Sequence, residues 1–196
     1  MRLIDLFFSR DEETESAPAA TYEETLLRVF AMLCGGDETV RQSIAACLAD
    51  TAGYCAAHAP LFDARGLTYR PEGAPWLQWV AAAEAARQAG YLRELPPDAD
   101  GAAFARTMKE ALDARGLVCP LPPESMNFTR LPSVPTRIEA FNQYAGQAGV
   151  TLYTADIDSG CYLIGAARIA DYALAADAAA RFGLRITSRP DVIRDA

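Results

Sequence analysis

The last third of the chain constrains the fold most. Residues 150–158, Val-Thr-Leu-Tyr-Thr-Ala-Asp-Ile-Asp, form a β-rich run, and residues 161–169, Cys-Tyr-Leu-Ile-Gly-Ala-Ala-Arg-Ile, form another. Ser159-Gly160 lies between them, and glycine accepts the positive φ that short hairpin loops demand. The pattern predicts an antiparallel hairpin over residues 150–169 turning at Ser159-Gly160. An alanine-rich helix follows and stops at Gly183, with Leu174, Ala178 and Phe182 at i, i+4, i+8 as its inward stripe. Residues 184–188 then alternate as a further strand.

Upstream, helix signals dominate. Thr21 and Glu24 read as a capping box, in which each side chain accepts from the other's backbone N–H. Tyr22, Leu26, Val29, Phe30 and Leu33 line one face of the helix they open. Gly35-Gly36 ends it, and Asp37 caps a second helix with Val40, Ile44, Cys47 and Leu48 at helical spacing, so the pair makes an αα-hairpin. Pro75 opens a helix packed through Trp76, Trp79, Val80 and Ala83 and ended by Gly90. Asp98 or Asp100 caps the next, which buries Phe104, Met108, Ala111 and Leu112. Thr136 and Glu139 read as a second capping box, after a stiff connecting loop with five prolines between residues 119 and 135. Asp-Ala-Arg-Gly-Leu occurs at residues 63–67 and again at 113–117, and Ala-Arg-Phe-Gly-Leu at 180–184. Each reads as a helix end with a left-handed glycine, followed by a strand near 67–70, 117–121 or 184–188.

These elements predict an α+β fold: helical hairpins plus a mostly antiparallel sheet of about four to five strands, covered by helices on one face. The 196 residues suit one domain, residues 21–196, preceded by an acidic flexible segment, residues 1–20. Residues 1–24 carry seven acids against two arginines, so −5 of the net charge of −8 sits there. That concentration disfavours nucleic acid as a partner. No apolar run reaches the ~20 residues of a membrane span, and the opening Met-Arg-Leu-Ile-Asp lacks a leader's apolar core, so a cytoplasmic protein without a membrane partner is expected. Five cysteines without a disulfide pattern read as buried thiols.

Chemistry-bearing motifs are few. Asp156 and Asp158 point to the same side if the strand continues through them, and paired carboxylates can hold a divalent cation. The alternative is that Asp158 starts the turn through its side chain while Asp156 is solvated. Asp156, Asp158 and Tyr162 are therefore the candidate polar patch. His58 is the sole histidine, and with Cys47 and Cys55 it lacks the second ligand pair that a zinc site needs. The chain has no nucleophile elbow, phosphate-binding loop or dinucleotide turn. No cofactor or resident metal is expected.

Residues 155–162, Ala-Asp-Ile-Asp-Ser-Gly-Cys-Tyr, with the apolar strand, helix and Gly-Leu-Arg-Ile that follow, resemble the C-terminal part of a family of uncharacterised small bacterial proteins. That family carries an Asp-x-Asp-x-x-x-Tyr-like turn before a similar helix. The resemblance spans roughly the last fifty residues and implies a fold without an activity to transfer.

Three functions are open at this point. The first is a non-enzymatic cytoplasmic domain that binds another protein in an accessory role. The second is a small metal-assisted hydrolase or transferase using Asp156 and Asp158. The third is a small-ligand carrier with an aromatic pocket around Trp76, Trp79 and Tyr162. The sequence names neither the protein partner nor the oligomeric state.

Overall fold

The computed structural model describes residues 20–64, 73–120 and 127–193. The predicted acidic segment, apart from Ala20, and the predicted strand near 67–70 lie outside the described residues. Among the described residues, eight α-helices and four strands follow in order: α1 Tyr22–Leu33, α2 Glu38–Ala49, α3 Thr51–Ala57, α4 Ala59–Asp63, α5 Ala74–Gln88, β1 Leu92–Leu95, α6 Gly101–Ala114, α7 Val134–Ala145, β2 Val150–Ala155, β3 Tyr162–Arg168, α8 Ile169–Ala180 and β4 Ile186–Thr187. The α+β class and the antiparallel sheet agree with the sequence reading.

Local chemistry sets many of these boundaries. The Thr21/Glu24 capping box forms with both of its hydrogen bonds, at 3.2 and 2.9 Å. Asp37 caps α2 and also accepts from the Tyr91 hydroxyl at 2.9 Å, tying the helical hairpin to the residue before β1. Asp100 caps α6. α7 begins earlier than predicted: Ser133, not Thr136, is its N-cap, and Pro135 sits in the first turn, where its missing N–H has no intrahelical partner to lose. The glycine helix ends hold at Gly116 and Gly183, both left-handed. In each, the next leucine's N–H reaches back to the last turn, from Leu117 to Leu112 and from Leu184 to Ala179. Leu184 leads into β4. Leu117 does not start a strand, because no neighbouring strand lies alongside residues 117–120.

The sheet runs in the order β1-β3-β2-β4 with every pairing antiparallel. β2 and β3 form the predicted hairpin, with Val150 opposite Arg168 and Ala155 opposite Leu163. β1 was not foreseen. Its Leu-Arg-Glu-Leu sequence has no β-branched residue, and only its pairing with β3 makes it a strand.

Helices cover both faces of this sheet, which corrects the one-face expectation. Tyr153, Ala155, Leu163 and Ala167 pack into a core with α1, α2, α5 and α8, centred on the fully buried Trp79 and on Phe30. Leu152, Tyr162, Ile164 and Ala166 face the other way, into a core with Phe104, Met108, Ile138 and Phe141 from α6 and α7. The topology requires this. The connection from β1 to β2 passes over β3, and that from β3 to β4 passes over β2 in the same lateral direction. The two connections start from strands of opposite sense, so crossovers of one hand place their helices on opposite faces.

The inward stripe of α8 is Ala175 and Ala179, both fully buried, while Leu174 and Phe182 are 55% and 38% exposed. Small side chains allow α8 to lie close against α1, and the bulky residues are displaced outward. Ala178 is partly buried beside them. Phe182 keeps one partner, an edge-on contact with Tyr22 at 5.4 Å.

Two arginines, Arg137 buried and Arg115 partly so, anchor the loops. Arg137 donates to the carbonyl oxygens of Phe128, Ala99 and Leu131. Arg115, at the end of α6, reaches the Met32 carbonyl in the last turn of α1, crossing Gly35 so closely that a Cβ there would overlap its guanidinium. Burial pushes the Cys34 and Cys47 thiols up to about 12, which keeps them protonated core residues. Among the described residues, no helix is long and apolar enough to cross a membrane.

Candidate functional site

The β2–β3 connection is longer than a two-residue turn. Pairing ends at Ala155 and Leu163, and residues 156–161 form the loop, with Asp158 and Gly160 left-handed at φ 52° and 69°. Ile157 is buried and fastens the loop to the first core. Because the strand stops before Asp156, the same-side argument for the two aspartates does not apply.

Every polar group of Asp156 has a partner within the fold. Its N–H donates to the Arg185 carbonyl at 3.0 Å, and its own carbonyl accepts the Trp79 indole N–H at 2.7 Å. One carboxylate oxygen accepts the Asp158 N–H at 3.0 Å, and the other lies 3.6 Å from the guanidinium of Arg185. Asp158 is exposed, and it is Asp156 that closes the turn, the reverse of the expected division of roles. Ser159 folds back on the Cys161 backbone. Among the described residues, no three His, Cys, Asp or Glu side chains converge.

Tyr162 is on the second-core face of β3. Its hydroxyl donates to the Asp191 carbonyl at 3.0 Å and accepts the Ile193 N–H at 2.9 Å, pinning the C-terminal tail across the end of the sheet. Asp156 and Tyr162 do line one cleft, with Cys161, Arg185 and Thr187, but its volume is about 210 Å³. Ligand pockets usually enclose about 300–1,000 Å³. Trp79 is buried in the first core, so Trp79 and Tyr162 lie on opposite sides of the sheet and cannot form a single aromatic pocket. His58 stacks on Tyr54 at 4.1 Å and bonds the Tyr54 carbonyl through Nδ1.

A second surface feature escaped the sequence reading. A broad open groove of about 810 Å³ runs between the end of α6, the start of β2 and the first turns of α8. Its walls include Leu117, Val118, Val150, Ile169 and Ala173, and Val118 is 90% exposed. Gly116 and Gly149, both left-handed, end the segments that converge on it, and the Ile169 N–H bonds the Gly149 carbonyl at 2.9 Å. Arg168 is the only ionisable residue in the lining, and it makes no ion pair with any described residue. The outer face of α8 continues the apolar surface through Leu174 before Asp177 and Arg181 pair with each other. A sequence signal existed: Arg168-Ile-Ala170 and Ala173-Leu174 put apolar residues on the face opposite Ala175 and Ala179. It was hidden by taking the bulky residues of α8 as the inward ones.

Residues 25–190 match the family model described as Domain of unknown function (DUF6630), and the chain belongs to that family. The expected resemblance to an uncharacterised family holds at this level. No curated protein and no solved structure matches the chain.

Proposed function

We propose that the protein is a non-enzymatic accessory domain that binds another protein by taking an apolar segment with an acidic side chain into the groove beside Arg168. The observation that carries this reading is the contrast in lining: an open apolar surface with a single guanidinium, which has no ionic partner among the described residues. An exposed apolar lining with a charged residue at its edge is a surface that a partner's side chains can cover. The open shape suits side chains presented by a partner's surface, because a small molecule needs walls that enclose most of it. The one charge supplies register, since a carboxylate opposite Arg168 is favoured over a lysine. The enzyme reading has less support, because the polar groups of Asp156 already have partners in the fold.

Affinity capture from native extract with wild-type, Arg168→Glu and Val118→Asp baits tests this. Captured proteins are then identified and titrated directly against each purified bait. A partner that binds wild-type and weakens at least about tenfold with either variant supports the reading. A partner held equally by all three overturns it.

A further inference from the structure

We infer that the groove beside Arg168 has an intramolecular occupant: residues 3–8 of this same chain, Leu-Ile-Asp-Leu-Phe-Phe. The inference rests on the reading above that the groove accepts an apolar segment bearing a carboxylate. Two independent matches support the choice. The first is composition. Residues 3–8 offer five large apolar side chains and one carboxylate, Asp5, against a lining of apolar residues and one guanidinium. Arg2 and Arg10 flank the segment, and Asp11, Glu12, Glu13 and Glu15 beyond Arg10 outnumber them, so the net charge of its surroundings is of the sign that Arg168 attracts.

The second match is reach. Tyr22, the first residue of α1, packs edge-on against Phe182 just beyond the end of α8. The groove lies at the opposite end of α8, around Ile169 and Ala173. A helix of that length is about 18 Å long. Residues 9–21 join the segment to α1, and thirteen residues can span up to about 40 Å. A segment tethered by so short a linker acts at an effective concentration in the millimolar range, so a contact too weak to form between separate molecules is formed within one. An external partner then has to displace residues 3–8, and its apparent affinity is reduced by the fraction of molecules in which they hold the groove.

The test uses the full chain. With p-benzoylphenylalanine in place of Phe7, irradiation should give an intramolecular crosslink to residues 116–118 or 168–174, mapped by mass spectrometry. Leu6→Asp/Phe7→Asp in the unlabelled chain should speed amide exchange at residues 117, 118 and 169–171 by about tenfold or more, and should tighten the captured partner's binding. Crosslinks elsewhere, an absence of crosslinks, or unchanged exchange would overturn the inference, and crosslinks joining two chains would show a second copy as the occupant. The two readings fail separately. If Val118→Asp weakens the partner while Phe7 crosslinks elsewhere, only the intramolecular occupant falls. If Phe7 crosslinks to the groove while the partner ignores Val118→Asp, only the external reading falls.

Discussion

The Asp156–Cys161 loop and the groove beside Arg168 are opposites in how they use their chemistry. The loop is dense with polar groups, yet the Asp156 backbone and carboxylate are matched by Trp79, Arg185 and Asp158. The groove is mostly hydrocarbon, yet Val118 is almost wholly exposed and Arg168 has no ionic partner among the described residues. Reactive-looking residues draw attention in a sequence, but recognition depends on interaction capacity that the fold has left uncommitted. By that measure the loop is a structural joint, and the groove is where binding energy remains available.

The comparison can be broken most forcefully at Trp79. If the loop is a joint held by the first core, Trp79→Ala should lower stability by about 3–5 kcal/mol in urea denaturation, because it opens a cavity and leaves the Asp156 carbonyl unpaired. A loss under about 1 kcal/mol would show the loop to be independent of the core. The next largest effect belongs to the groove. Val118→Asp with Ile169→Asp should weaken partner binding at least tenfold, equivalent to about 1.4 kcal/mol. Its unfolding free energy should stay within about 0.5 kcal/mol of wild-type, as expected for exposed positions. A large stability loss would mean that these side chains belong to the core.

Smaller effects sharpen the assignment of the two aspartates. Asp156→Ala removes the acceptor for the Asp158 N–H and should cost about 1 kcal/mol in thermal or urea unfolding, with partner affinity unchanged. Calorimetric titration of Mg²⁺ or Mn²⁺ into chelator-treated protein should show no micromolar binding, and binding that vanished in Asp156→Asn/Asp158→Asn would promote the joint to a metal site. Asp158→Gly should have the smallest effect, within about 0.5 kcal/mol. Glycine relieves the positive φ of an exposed residue but adds freedom to the unfolded chain.

What the sequence made legible follows the range of the interaction concerned. The Thr21 box, the Asp37 cap and the left-handed glycines at 116 and 183 depend on neighbours within one helical turn and formed as read, and of the two candidates Asp98 and Asp100 it is Asp100 that caps α6. β1 depends on Gly165 and its neighbours in β3, so no local pattern announced it. The stripe of α8 was misread because hydrophobicity was taken to mean inward, whereas close packing on α1 selects Ala175 and Ala179. The Ser133 cap was hidden by the equally plausible Thr136/Glu139 pattern three residues on. Asp156 and Tyr162 line one cleft and Asp158 does not, and the partners of the first two, Arg185 and the 191–193 tail, are supplied by the distant end of the chain.

The long-range partnership of β1 also sets an order of events during synthesis. The only strand that β1 pairs with among the described residues is β3, which emerges roughly seventy residues later, several seconds at ribosomal speeds of about 5–20 residues per second. Over that interval Phe30, Trp79 and the alanine-rich face of α5 have no sheet to close over them. Non-local pairing of this kind slows folding and lengthens exposure to aggregation. The β2–β3 hairpin, local in sequence and central in the sheet, is then the latch on which the waiting helices close, and a premature stop before Arg168 would strand most of an otherwise helical protein without its core.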